Sequence, residues 1–153
     1  MAILNGESLG YHHSSCIQFL YRDAPLVTNE AEWPARDSYE SSIVFELAVD
    51  MLESLCSLDK AYSPFDIYEI TNISMPDELQ RLLTVVERWR EKLAQASDER
   101  IREGFEFLFD ESSPSFTSDI AKMRGNLTET INYLTDKIRL AMGEGRVITV
   151  IGI

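Results

Sequence analysis

The chain has 153 residues, 44% of them hydrophobic, and its 26 acidic residues against 14 basic ones give a formal net charge of −12. A chain of this length can bury a core of its own, so we expect a single domain over 1–153. Phosphate recognition depends on Lys and Arg, so the charge disfavours direct binding to nucleic acid or to an anionic membrane surface. No apolar run approaches the roughly 20 residues that span a bilayer, and the N-terminus does not resemble a signal peptide. We therefore expect a cytoplasmic protein.

The N-terminal residues 1–38 carry no clear periodicity and are predicted to be irregular. Pro25 and Pro34 interrupt the stretch from 23 to 37, which is typical of an extended connection. The apolar run 16–21 is compatible with either a strand or a helix.

The first clear helix is predicted over residues 39–58. On a helical projection, its apolar side chains cover more than half of the circumference and leave a narrow polar strip that contains Glu46, Asp50 and Glu53. The spacing of these three residues would stack their carboxylates along one ridge. A helix with so wide an apolar arc is usually central to its domain, so we expect a core helix with an acidic ridge.

Further elements are predicted along the rest of the chain. Capping residues and apolar spacings indicate helices over 63–71, 76–96, 98–110 and 118–142. The β-branched tail 146–153 resembles a strand, and we expect it to pair with the run 16–21 because a lone strand leaves its backbone groups unpaired. The prediction is a mainly α protein, a bundle of about four to five helices over 39–142 with a minor β element formed by the C-terminal tail.

The negative charge is concentrated in the middle of the sequence. Residues 23–78 hold 13 acidic residues against two basic ones, a net −11, whereas 1–22 and 79–153 carry 0 and −1. Such a stretch is either a solvated face, which Arg residues of the later helices could neutralise, or a surface that meets a basic partner. Phe107 is predicted to point away from the inner face of its helix, as an interface anchor or beneath a loop.

No motif identifies a reaction. His12, His13 and Cys16 are metal-binding residue types, but no second cluster completes a set of four ligands, so a surface loop is the better interpretation. Acidic pairs spaced three residues apart superficially resemble the Mg²⁺ ligands of α-helical nucleotide pyrophosphohydrolases, although this spacing is common in helices. The pairs are Asp50 with Glu53 and Glu103 with Glu106. We expect no catalytic residue, no metal and no cofactor.

These observations favour a binding protein over an enzyme. We expect an inhibitor of a basic protein partner, a toxin-neutralising immunity protein or antitoxin that covers the basic surface of a nuclease-like toxin. The expected partner-binding residues are Glu30, Glu32, Trp33, Asp37, Tyr39, Glu40, Glu46, Asp50, Glu53 and Phe107. Two alternatives are a Mg²⁺-dependent all-α nucleotide hydrolase and a structural or assembly subunit that adds its C-terminal strand to another chain.

Overall fold

The computed structural model describes residues 16–27, 33–59, 64–104 and 120–152. The strands are β1 (Cys16–Arg22), β2 (Ile43–Ala48), β3 (Ile70–Ile73) and β4 (Val147–Ile151). The helices are α1 (Val49–Asp59), α2 (Pro76–Gln95), α3 (Asp98–Gly104) and α4 (Ile120–Glu144), with short 3₁₀ helices at Arg36–Ser38 and Glu40–Ser42.

The strands form one antiparallel sheet in the order β2-β1-β4-β3. β4 is an inner strand, because its Ile151 lies opposite Gln18 of β1 on one side and opposite Ile70 of β3 on the other. The predicted strand in the C-terminal tail is therefore confirmed, and so is its pairing with the run 16–21. The last described residues of the chain lie at the centre of the fold.

The predicted mainly α bundle is wrong, because the described residues combine four helices with a four-stranded sheet. The largest error is the core helix over 39–58, which is instead the strand β2 followed by the helix α1. Ile43, Val44 and Phe45 are β-branched or aromatic, and such residues favour strands. A strand buried on both faces also reads as a continuous apolar run, which a helical projection displays as a wide apolar arc.

The short helix predicted over 63–71 is wrong as well. Residues 64–69 form turns that lead directly into β3. The side chain of Asp66 accepts a hydrogen bond of 2.8 Å from the backbone N–H of Tyr68. An Asx turn of this kind competes with helix formation, although the same residues also resemble a helix N-terminus.

The later helices agree better with the sequence. α2 begins at the predicted Pro76, and α3 is capped by the Ser97 hydroxyl, which accepts a hydrogen bond of 3.1 Å from Arg100 N. α4 ends in a Schellman motif: Gly145 has a φ of 64°, and Arg146 N donates to Ala141 O at 3.0 Å.

One face of the sheet packs against the helices. The Phe19 ring makes edge-to-face contacts with Phe45 and Phe65, with 5.2 Å between ring centroids in each pair. α2 and α4 pack closely against each other above this face, and Trp89 of α2 is fully buried in the same core. Across the part of the chain that the structure describes, no helix is both long and apolar enough to cross a membrane.

The other face of the sheet is covered by the connection between β1 and β2. We call this connection the strap; it comprises residues 23–42, of which 28–32 lie outside the described ranges. Strap residue Tyr39 is buried in a second, smaller apolar cluster that includes residues of three strands. The cluster consists of Leu20, Tyr39, Ile43 and Ile151. Because both of its faces are covered, β1 is buried continuously from Ile17 to Leu20.

Candidate functional site

A chain of five polar side chains, which we call the strap network, joins the strap to the sheet. The Tyr39 hydroxyl donates to Gln18 Oε1 at 2.9 Å, and Gln18 Nε2 donates to Glu46 Oε2 at 2.6 Å. Arg36 Nη1 lies 3.0 Å from the same Glu46 oxygen, and Arg36 Nε donates to Glu40 Oε1 at 3.3 Å. Tyr39, Gln18 and Glu46 are buried, whereas Arg36 and Glu40 are exposed.

The sheet register explains why two polar residues are buried here. Gln18 and Glu46 are direct partners on β1 and β2, so their side chains leave the same face of the sheet. The Glu46 side chain keeps only 4% of its exposure. A carboxylate so deeply buried is costly unless it is both hydrogen-bonded and charge-compensated. Gln18 supplies the hydrogen bond and Arg36 supplies the charge.

The strap network also perturbs the pKa values of nearby groups. Burial raises the pKa of the Tyr39 hydroxyl, and the carboxylates of Glu46 and Glu40 add to this effect while Arg36 opposes it. Burial likewise raises the pKa of the Cys16 thiol, with Glu46 adding to the rise and Arg36 opposing it. Partial burial lowers the pKa of Arg36, but the two carboxylates outweigh it and the net pKa is raised. The surroundings of Cys16 therefore favour the thiol over the thiolate, which is the opposite of the effect that activates a nucleophilic cysteine.

A second anchor holds the start of the strap. Asn72 Nδ2 donates to Leu26 O at 3.0 Å, and Leu26 N donates to Asn72 Oδ1 at 2.9 Å. The hydroxyl of the fully buried Thr149 donates to the same Asn72 oxygen at 2.7 Å. Asn72 thus holds the Leu26 backbone through one donor and one acceptor, much as a neighbouring strand would.

The topology gathers several acidic segments around one end of the sheet, which we call the acidic end. A single row of paired residues crosses all four strands near this end: Glu46, Gln18, Ile151 and Ile70. α1 begins just beyond the last residue of β2, and the loop 64–69 enters β3 beside the end of β4, where Gly152 N donates to Glu69 O at 2.9 Å. The strap contacts the same row through the ion pair between Arg36 and Glu46.

Exposed carboxylates and two exposed aromatic rings belong to the segments that contribute to the acidic end, which are the strap, α1 and the loop 64–69. The carboxylates belong to Asp37, Glu40, Glu53, Asp66 and Glu69. In the described part of 23–78, the basic residue is Arg36, whose guanidinium already faces Glu46 and Glu40. Trp33 of the strap is 53% exposed, and Tyr68 of the 64–69 loop is 65% exposed. Exposed aromatic residues among charged ones are typical anchors of protein interfaces.

The structure separates the predicted binding residues into two groups and leaves some outside its description. Trp33, Asp37, Glu40 and Glu53 are exposed, as a contact role requires. Tyr39 and Glu46 are buried and hold the strap in place, so neither offers a contact surface. Four predicted residues cannot be assigned: Glu30, Glu32 and Phe107 lie outside the described residues, and so does the side chain of Asp50.

The predicted acidic ridge of Glu46, Asp50 and Glu53 is wrong. Glu46 belongs to β2 and faces the strap, whereas Asp50 and Glu53 belong to α1. The helical spacing of the three residues therefore has no structural meaning. The ridge followed from the incorrect helix over 39–58.

Sequence reasoning missed Gln18, Asp66, Tyr68 and Glu69. Asp66 and Glu69 were counted among the acidic residues of 23–78, but their position at the acidic end depends on β3, which was not predicted. Gln18 interrupts the apolar run CIQFLY, and a lone polar residue in such a run signals a buried hydrogen-bonding partner. That signal predicts a hydrogen-bonding partner for Gln18 but does not identify the partners, which are Glu46 and Tyr39.

A groove of about 540 Å³ lies along the first half of α4. Its lining residues are Asp98, Ile120, Ala121, Arg124, Gly125, Thr128, Glu129 and Asn132. Arg124 is engaged in closing the end of α2: it donates to Leu93 O, to Ala96 O at 3.0 Å and to Asp98 Oδ1 at 2.9 Å. These bonds satisfy C-terminal carbonyls of α2, so the Arg124 contacts are structural. Within the described ranges, no group of three or more His, Cys, Asp and Glu residues could hold a metal ion.

Comparisons with known proteins give no assignment: no family model matches the chain, and no curated protein or solved structure matches it.

Proposed function

We propose that the protein is an acidic inhibitor that binds a basic protein partner through the acidic end of its sheet. The observation that carries the proposal is the exposure of Trp33 and Tyr68 among carboxylates of the most acidic part of the chain. Aromatic anchors inside a polar rim supply most of the binding energy in many interfaces. Complementary charge speeds association and orients the partner.

The distribution of ion pairs supports the same proposal. Arg100, Arg124 and Arg139 of the helical layer pair with acidic residues that belong to the same stretch, 79–153. These arginines therefore do not neutralise the acidic stretch 23–78. Arg36 does so only in part, because one guanidinium serves two carboxylates.

A toxin-neutralising immunity protein or antitoxin is the class that this mechanism fits best. A toxin that acts on nucleic acid needs a basic surface to bind phosphates. An acidic surface with aromatic anchors can cover that surface and exclude the nucleic acid by charge and by volume. This assignment of class rests on analogy of charge and size.

The two alternatives have weaker support. An assembly subunit that donates its C-terminal strand requires a free strand, but β4 is already paired on both sides. A Mg²⁺-dependent all-α hydrolase requires an all-helical fold with facing pairs of carboxylates, whereas the described residues include a four-stranded sheet. Asp50 and Glu53 do lie on α1, but Glu106 lies outside the described residues, and the described part of the chain holds no group of three or more His, Cys, Asp and Glu residues that could bind a metal ion. Neither alternative has an observation of its own in its favour.

Affinity capture from native host extract tests the proposal. Capture is carried out at about 50 and about 300 mM salt, because exposed charges are screened more strongly over that range. We expect one basic protein in stoichiometric amount, with slower association at the higher salt. The purified partner should lose its activity on nucleic acid when the chain is added. Recovery of no protein, or of an acidic protein retained equally at both salts, would contradict the proposal.

A further inference from the structure

The ion pair between Arg36 and Glu46 differs from the other ion pairs described in this structure. The Glu46 side chain keeps 4% of its exposure, whereas the acidic side chains of the other pairs keep between 30% and 77%. Exposed pairs contribute little to stability, but a buried carboxylate that loses its cation carries a large penalty. The position of Arg36, and of the strap that carries it, is therefore tied to Glu46.

Because Arg36 lies in a hydrogen-bonded turn, its position also determines the positions of the neighbouring exposed residues of the strap. Arg36 opens a short 3₁₀ helix, in which Ser38 N donates to Ala35 O and Tyr39 N donates to Arg36 O, both at 3.0 Å. Asp37 lies inside this turn, so its direction depends on the orientation of Arg36. On the other side, Trp33 is connected to the turn by only two residues.

We propose that Arg36 and Glu46 form a latch that positions the strap for partner binding without touching the partner. The latch itself can be tested without a partner, while its effect on affinity rests on the proposed function. Arg36 is unsuited to direct contact with a basic partner, because two positive charges repel each other. The Arg36 side chain is 46% exposed, and its guanidinium contacts two carboxylates of its own chain through Nη1 and Nε. A strap that is already ordered before binding lowers the conformational entropy that is lost when the partner binds.

The test separates positioning from stability by removing the whole ion pair. The double variant Arg36→Met with Glu46→Gln leaves no unpaired buried charge and keeps a side-chain oxygen as the acceptor for Gln18 Nε2, so global stability should change little. The control, Arg100→Met with Glu103→Gln, removes an exposed pair on α3. Hydrogen exchange is measured at the strap amides of Ser38, Tyr39 and Ser42, which donate backbone hydrogen bonds.

We expect exchange at these three amides to become at least about tenfold faster in the latch variant, while global stability and the control stay close to wild type. Unchanged exchange at the strap amides would overturn the proposal, whether or not a partner has been found. Once a partner is known, the latch variant should bind about tenfold more weakly than the control. If the strap amides exchange faster but affinity is unchanged, the latch exists and the strap is not the binding element.

Chemical rescue gives a readout that general destabilisation does not share. Arg36→Ala leaves Glu46 buried without its cation, so free arginine at roughly 10 mM should restore slow exchange in the strap, as guanidinium fits a carboxylate better than ammonium does. Lysine or sodium chloride at equal ionic strength should not. If Arg36→Ala is unfolded alone, the same titration is followed as recovery of the helical circular dichroism. No difference between arginine and lysine would count against the latch.

Discussion

Gln18 on β1 and Glu46 on β2 are direct partners in the sheet, and a hydrogen bond of 2.6 Å joins their side chains beneath the strap. Two polar residues facing each other in a sheet would normally lie on a solvated face. Here the strap covers them. Tyr39 donates a hydrogen bond to Gln18, and Arg36 compensates the negative charge of Glu46. The covered face of the sheet thus depends on polar contacts as well as on its apolar cluster.

Removal of the Glu46 carboxylate should destabilise the protein strongly. Glu46→Ala leaves the buried amide of Gln18 without its acceptor and removes one of the two carboxylates that Arg36 contacts, and we expect the free energy of unfolding to fall by about 2–3 kcal/mol. Glu53→Ala, which removes an exposed carboxylate of α1, should change it by no more than about 0.5 kcal/mol. Urea unfolding measures both values. Equal effects of the two substitutions would show that the Glu46 contacts contribute nothing.

Deletion of residues 147–153 should prevent folding. β4 pairs with β1 and β3, and each of its residues from Val147 to Ile151 is buried. Without it the sheet separates into two parts and the core loses its central strand. Circular dichroism and thermal unfolding of the truncated chain measure the effect. A truncated chain with a cooperative transition close to that of the full chain would contradict the described sheet.

Gly152→Ala should be among the most costly small substitutions. A Cβ at this position would lie 2.2 Å from Ile67 O and 2.9 Å from Tyr68 N, so backbone would have to move. We expect a loss of about 2–3 kcal/mol in the free energy of unfolding. Gly143→Ala is the matched control: it lies in α4 with no atom within 4 Å of an added Cβ, and it should stabilise by about 0.5 kcal/mol. A Gly152→Ala chain as stable as the control would refute the close backbone approach.

Tyr39→Phe should have an effect that depends on pH. The pKa of the Tyr39 hydroxyl is raised in the folded protein above its ordinary value of 10.0. A raised pKa means that the contribution to stability is complete below the unfolded value and is lost as the pH rises through the folded value. At neutral pH the variant should be less stable by about 1 kcal/mol, because the bond to Gln18 is lost. The gap between wild type and variant should narrow above pH 10 in urea unfolding; a constant gap up to pH 11 would contradict this account.

The parts of the fold that local patterns determine were predicted well. α2 and α3 follow from their caps and apolar spacing, and the tail strand follows from its β-branched residues. Its partner β1 was also predicted, because a strand in a small domain needs one. The helices and the tail strand depend on neighbouring residues in sequence, which carry that information directly, whereas the pairing of β4 with β1 followed from the need of a strand for a partner.

The missed parts depend on contacts between distant residues. β2 is buried on both faces, by the strap on one and by the helices on the other, and neither cover is visible in the segment itself. Its continuous apolar run was therefore compatible with a helix as well as with a strand. For the same reason Glu46 was interpreted as a surface carboxylate. Charge and residue type were enough to select the exposed members of the candidate site, because neither depends on the predicted fold. These members are Trp33, Asp37, Glu40 and Glu53.

The central claim is that the acidic end of the sheet binds a basic protein, and capture with three baits tests it most directly. The baits are the wild-type chain, the variant Trp33→Ala with Asp37→Lys, and the control Leu140→Ala with Glu91→Lys. The control makes the same change in charge and also removes an exposed apolar side chain, but on α4 and α2. Neither variant alters a residue of the strap network. The account predicts that the wild-type and control baits retain the same basic protein and that the strap variant loses most of it. Equal retention by all three baits would contradict the claim.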